Sequence, residues 1–331
     1  MIKTKLLFPD RTLPLMVYED LTGLSSTDRM SRSPLSVDDL LTWCAENAAF
    51  LEESLLQHGA VLFRGFSVKS EEALAKFAAA NSPEGLLNYT DGTSPRTKLS
   101  AKGVYTSTEY PPDQFISLHN ELSYSHRWPS RLYFACRVPA GRGGETPVAD
   151  SRRIFKGLSS KTADLFLHKG VKYLRYLHGG DGVGLSWMKT FETSDRDLVE
   201  QYCKKGEVDH EWTTNGGLRL SQVRPAVAQH PKTGETVWFN QADQFHPTEM
   251  DPETRKSLQA VLKDSEWPKN VCFGDNSAID PEMLTEIREV TRQQTVAFPW
   301  RTGDLMVVDN MLASHGRNPF QGPRSILVAM G

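Results

Sequence analysis

Short strand-like runs separated by turns recur through the C-terminal two thirds of the chain, at 131–138, 218–221, 236–240, 294–298, 304–309 and 325–330. This pattern favours a β-sandwich or barrel with helices outside it. A capped helix is predicted to begin at Ser36-Val37-Asp38-Asp39. Its apolar stripe is Leu40, Leu41, Cys44, Ala48, Leu51 and Leu55, and it stops near His58-Gly59. Ala60 to Gly65 reads as a buried strand, 70–80 as a second helix, and 252–263 and 281–291 as later helical inserts. Between 81 and 117 the chain turns rich in Gly, Pro, Ser, Thr and Tyr. A long irregular stretch of this kind inside a compact domain often serves as a lid or binding loop.

The 331 residues allow one large domain or two ordinary ones. No repeat, low-complexity tract or Pro/Gly/Ser-rich linker divides them, so a single domain over 1–331 is expected. A 39% hydrophobic and 24% charged composition excludes a disordered or fibrous chain. With 38 basic and 41 acidic residues the net charge is −3, which gives no general attraction to nucleic acid or acidic membranes. No apolar run approaches the roughly 18 residues of a membrane span, and the first residues are too polar for a secretory signal. The four cysteines stand at least 67 positions apart, which predicts reduced, mostly buried thiols in a cytoplasmic protein.

Several residues are candidates for chemistry. On a strand, His119 and Glu121 would point the same way and bring an imidazole and a carboxylate to one place. Alone, that pair is as common as chance. His315 ends an apolar run that starts at Gly303-Asp304, and two histidines with one carboxylate can bind one face of Fe(II). By itself His315 also reads as a capping histidine. Arg324 opens the apolar run 325–330, and alternation sets it with Ile326 and Val328. If that face is interior, the guanidinium needs an anionic partner, and its planar fork suits a carboxylate. If the strand is an edge, Arg324 faces solvent. Gly143-Gly144-Glu145-Thr146-Pro147 supplies a turn and a hydroxyl placed to donate to an anion, or simply a turn.

Taken together and in this order, these segments resemble the taurine dioxygenase/TfdA family of Fe(II)/2-oxoglutarate-dependent oxygenases. The likeness runs from the Ala60–Gly65 segment to the C-terminus. The family motif, His-x-Asp/Glu with a distant His, falls on His119, Glu121 and His315. The resemblance assigns 2-oxoglutarate binding to Thr146, 27 residues after His119, and to Arg324, nine after His315. Glutamate in the metal motif, with the segments 105–110, 119–124, 143–150 and 238–241, is most similar to the clavaminate synthase-like and syringomycin-type (SyrP-like) subgroup. That subgroup hydroxylates amino acids, free or tethered to a carrier protein, in natural-product pathways. The second downstream arginine of taurine dioxygenase has no counterpart here, although Arg317 is available as a second anion contact.

The resemblance implies a mixed α/β, mainly β fold with a double-stranded β-helix (jelly roll) core, flanking helices and an active-site loop at 81–117. It implies oxidation of an unactivated C–H with Fe(II), O2 and 2-oxoglutarate, releasing succinate and CO2. Tyr110, Glu109, Arg224, Asn240 and Gln241 are candidate substrate contacts, with Glu109 for an ammonium and Arg224 for a carboxylate. Rival readings are a sulfonate- or aryloxy-acid dioxygenase, for which Arg96, Arg224 or Arg317 would supply a further cation, and a zinc hydrolase with the same three ligands. A hydrolase has no use for a dicarboxylate clamp. A small-molecule substrate is expected, with no nucleic-acid or membrane partner.

Overall fold

A computed structural model of the chain describes residues 1–23, 25, 27, 31–82, 84–100 and 103–331. Its largest element is a seven-stranded sheet in the spatial order Ile2–Leu6, Leu15–Glu19, Ala60–Arg64, Leu305–Asp309, Arg131–Val138, Ser325–Met330 and Val104–Thr106. Every neighbouring pair is antiparallel except Leu15–Glu19 with Ala60–Arg64. A four-stranded antiparallel sheet follows the order Thr295–Val296, Val148–Asp150, Ala313–Arg317, Ile116–His119.

Strand alternation explains how the layers stack. Met306 and Val308 join Leu62, Leu132, Phe134, Ile326 and Val328 in one apolar cluster, which also holds Val148, Ala149 and Ala313 of the smaller sheet. Their neighbours Leu305 and Val307 point the other way, into a cluster with Val61, Phe63, Tyr133, Ala135, Leu327 and Ala329. Helix residues Leu40, Leu55 and Leu74 close that second cluster. The large sheet is therefore buried on both faces, by helices on one side and by the small sheet on the other. Burying each such side chain contributes about 1.5–3 kcal/mol. Across the first face the rings of Phe134 and His315 stand 5.1 Å apart, so the core touches the candidate site.

The first predicted helix is two helices, Val37–Glu46 and Ala48–His58. Ser36 and Asp39 form a reciprocal capping box at its start. The break falls at Asn47, which leaves the helical conformation at a φ of −118° and ψ of 27° and whose backbone N–H and side-chain amide both donate to the Trp43 carbonyl, at 3.0 and 2.9 Å. Ala48, assigned to the stripe, is exposed. The second helix spans Glu71–Asn81 behind a Ser70 cap. The helix Pro281–Gln294 runs further than its sequence signal, so the strand expected at 294–298 shrinks to Thr295–Val296. The segment 81–117 is not irregular throughout: Val104–Thr106 pairs with Ser325–Met330 at the sheet edge. A further sheet of Asp209–Trp212, Leu218–Arg224, Val171–Leu177 and Lys269–Phe273 was legible only in part. Charged residues within these strands, such as Lys172 and Arg175, interrupt any apolar run.

No described helix is long and apolar enough to cross a membrane. Cys44, Cys136 and Cys203 are buried, Cys272 is half-buried, and none is in a disulfide.

Candidate active site

His119 and His315 are direct cross-strand partners in the small sheet, which sets their rings 4.4 Å apart at the centroids. The register shifts just after His315, at Gly316. A Cβ there would stand 2.5 Å from the Ile116 carbonyl, so the two strands approach this closely only because the residue is glycine. The turn before His315 is fixed by Asp309, whose Oδ1 accepts from the backbone N–H of Met311 and of Leu312. The His119 Nδ1–H donates to the Ser117 carbonyl at 2.9 Å, which leaves Nε2 free to ligate. Burial holds the His119 imidazole below the usual histidine range. Burial, then the neighbouring His119 ring, with which it cannot share a second positive charge, and the Arg96 charge hold His315 well below it. Both are therefore neutral at pH 7, the state that binds metal.

Glu121 does not reach the histidines through strand alternation. The strand ends at His119, and Glu121 lies in the following turn, where Leu122 takes a φ of 56°. Asn310 sets that turn. Its Oδ1 accepts from the Glu121 N–H at 2.7 Å, and its Nδ2 donates to the Glu121 and Pro129 carbonyls, each at 2.9 Å. Gln241 donates to the Asn120 carbonyl at 2.8 Å and braces the same turn from the other side. Glu121 Oε2 ends 3.7 Å from His315 Nε2. One ligand atom from each of the three residues lies within 4.8 Å of the other two, close enough for a single divalent ion to gather them with small side-chain shifts. Two imidazole nitrogens and one carboxylate oxygen form the donor set of non-haem Fe(II) oxygenases, with positions left open for other ligands.

An anion cradle adjoins the triad. Arg324, Thr146, Arg317, Ser107 and Arg96 line one cavity with His119 and His315. Arg324 donates through Nε to the Gly144 carbonyl at 2.8 Å and through Nη1 to Ser107 Oγ at 3.1 Å. Among the described residues no carboxylate pairs with it. Burial, followed by the nearby Arg317 charge, pulls its pKa down to about 10. A half-buried cation held by neutral acceptors and pressed by a second cation is stabilised by an incoming carboxylate. A Cβ on Gly144, which has a φ of +72°, would meet Arg324 Cδ at 3.0 Å, so glycine lets the arginine lie against this turn. Thr146 Oγ1 accepts from Trp300 Nε1 at 3.1 Å, which leaves its own hydrogen free to donate. Arg317 is committed elsewhere. Its two terminal nitrogens donate to the carbonyls of Thr108, Tyr110, Pro111 and Gln114 and hold the end of the 81–117 segment against the site.

The other expected substrate contacts are not gathered there. Thr108 lines the cavity, so its neighbour Glu109 points outward and accepts from the Thr106 hydroxyl at 2.8 Å on the exposed surface. Arg224 binds the Gly206 carbonyl and the Gln222 side chain in the outer sheet. Asn240 is occupied in closing a turn, donating to the Ala226 carbonyl and accepting from the Ala242 N–H. Tyr110 lines a separate cleft with Thr93, Arg175 and Lys269. Asn310 carried no motif signal in the sequence, and Arg96 was legible only as one of three spare cations.

A profile described as "Taurine catabolism dioxygenase TauD, TfdA family" matches residues 18–330. The dapdiamide synthesis protein DdaC of Enterobacter agglomerans is 37% identical over 280 residues, covering 85% of this chain and 84% of that protein. A clavaminate synthase-like protein of Arabidopsis thaliana is 31% identical over 290 residues, with 85% and 84% covered. Among solved structures, PvcB, titled an Fe, alpha-ketoglutarate dependent oxygenase from an isonitrile synthetic pathway, aligns with a TM-score of 0.52 at 15% identity, covering 99% of this chain and 90% of that one. AAD-2 in complex with Mn(II) and N-oxalylglycine aligns with a TM-score of 0.53 at 14% identity, covering 100% and 96%. These structures share the fold. The extent of the profile match, with a His–Glu–His cluster at the motif positions, shows that the chain belongs to the taurine catabolism dioxygenase TauD, TfdA family and is an Fe(II)/2-oxoglutarate-dependent dioxygenase.

Proposed function

We propose that this dioxygenase hydroxylates an unactivated C–H of an amino acid or amino-acid derivative, free or carrier-tethered, in natural-product biosynthesis in the cytoplasm. The observation that carries the site assignment is Arg324, a half-buried guanidinium with no carboxylate partner among the described residues, which opens on the same cavity as His119 and His315, the two histidines that Glu121 joins in the metal cluster. The substrate class is supported by the relative named for dapdiamide synthesis. The large and small sheets are read as the two faces of a double-stranded β-helix within one catalytic domain. His119, Glu121 and His315 would hold the iron, which would supply O2 activation and C–H oxidation at the expense of 2-oxoglutarate, giving succinate and CO2. Arg324 and Thr146 hold the distal carboxylate of 2-oxoglutarate and fix its orientation. Arg317 keeps 108–114 over the cavity and excludes water. Glu121 would take a coordination position that a halide needs, so oxidation would take the form of hydroxylation or desaturation.

The test is substrate-triggered succinate release, with free amino acids, carrier-loaded amino acids, taurine and an aryloxy acid side by side. Turnover confined to amino-acid substrates is expected. Turnover with taurine or the aryloxy acid alone overturns the substrate class, and wild-type turnover of an ester or amide without 2-oxoglutarate would mark a hydrolase.

A further inference from the structure

Arg96 sits on the reacting side of the cavity and is only partly used. Its Nη2 donates to Glu121 Oε2 at 2.5 Å, and its side chain is 3% exposed. Its Nε and Nη1 are buried with no hydrogen-bond partner among the described residues. Such donors are costly to leave unmatched. The arginine is held in place from behind. Its guanidinium lies over the Tyr89 ring, 4.7 Å from the centroid. The segment carrying both residues is pinned at Asp91 and Gly92, where Arg175 donates to both carbonyls and to the Asp91 carboxylate, and Tyr124 donates to the Asp91 carbonyl at 2.6 Å.

Formal charge points the same way. Arg96 and Arg324 contribute +2 and Glu121 −1; Fe(II) adds +2 and 2-oxoglutarate −2, so the sum is +1. Arg317 raises the sum to +2, but its two terminal nitrogens are already taken by four carbonyls. A net positive charge remains in the site once the co-substrate is bound, and of the buried guanidinium nitrogens left unmatched around it among the described residues Arg96 supplies two, Nε and Nη1, and Arg317 one, Nε. Resting on the dioxygenase reading above, we infer that Arg96 is the substrate anchor, and that the substrate presents a carboxylate to its Nε and Nη1 beside the iron. An amino acid would thus bind by its carboxylate at Arg96, not by an ammonium at Glu109.

The experiment uses full-length protein saturated with Mn(II) and N-oxalylglycine, an unreactive stand-in for 2-oxoglutarate, with loading confirmed by calorimetry. A panel of carboxylic acids of increasing length, with and without an α-amino group, is titrated beside the matching primary amides. At least one acid is expected to bind tenfold or more tightly than its amide. That preference should vanish in Arg96→Gln and persist in weakened form in Arg96→Lys, with both variants still binding N-oxalylglycine. No acid-over-amide preference anywhere in the panel, or a preference that survives Arg96→Gln, overturns the assignment. Loss of N-oxalylglycine binding in both variants would assign Arg96 to the support of Glu121 and overturn it equally. If only acids without an amino group bind, the amino-acid reading fails while the Arg96 anchor stands.

Discussion

At the scale of single residues, the site depends as much on Asn310 as on the ligands. One buried amide satisfies both backbone groups of Glu121 and a third partner at Pro129. Asn310→Ala leaves a buried N–H and two buried carbonyls unmatched, at about 1–3 kcal/mol each. The variant is expected to lose about 3 kcal/mol or more in denaturant unfolding and to bind metal more than tenfold more weakly in calorimetry. A variant with unchanged metal affinity would show that the turn is set by something else. The five motif positions could be singled out because their types and order match the family pattern in register, and the structure brings His119, Glu121 and His315 together with Thr146 and Arg324 in the adjoining cavity. Asn310 and Arg96 could not be, because a lone amide or guanidinium has no characteristic spacing, and its role exists only once distant segments meet. The sequence argument also had the wrong route for Glu121: the shared direction expected from strand alternation is produced by a turn.

At the scale of elements, Arg317 ties the strand of His315 to the end of the 81–117 segment through four carbonyls. Arg317→Met keeps much of the side chain's length and removes the donors. Amide hydrogen exchange in 106–116 should then accelerate at least tenfold, while the strands of the large sheet exchange as before. Equal protection in the variant would contradict the staple. In the helical layer, Phe63 packs edge-on against Trp43, Phe66 and Phe77. Phe63→Ala should cost about 3–5 kcal/mol of unfolding free energy; a loss below 1 kcal/mol would mean that the cluster collapses around the gap. Elements whose apolar residues face a single layer, such as the helix behind Ser70, matched their sequence pattern closely. The outer sheet did not, because charged residues break up its apolar runs, one of them, Arg175, being itself buried, and the helix break at Asn47 is a change of one residue's backbone conformation that periodicity does not register.

At the scale of the whole molecule, four histidines share one pH response. Burial lowers the pKa of His119, His126, His246 and His315 in the folded chain. Below about 6.5 the unfolded chain takes up protons that the folded chain refuses, so stability falls as pH falls. The chelated protein should therefore melt at a lower temperature at pH 5.5 than at pH 7.5, the histidines outweighing Asp243 and Glu249, which are raised by burial and act in the opposite direction. A flat or rising melting temperature would contradict the buried neutral histidines. The central claim is that one chain assembles a metal triad and a dicarboxylate clamp side by side. Anaerobic calorimetry of Fe(II), then of 2-oxoglutarate, into wild type, His315→Ala and Arg324→Lys tests both halves at once. The expected result is one ion and one 2-oxoglutarate per wild-type chain, no tight ion site in His315→Ala, and in Arg324→Lys a retained ion with 2-oxoglutarate weakened tenfold or more, as loss of one or two charge-assisted hydrogen bonds worth about 1.5–3 kcal/mol each implies. Full ion binding by His315→Ala, or unchanged 2-oxoglutarate affinity in Arg324→Lys, would contradict it.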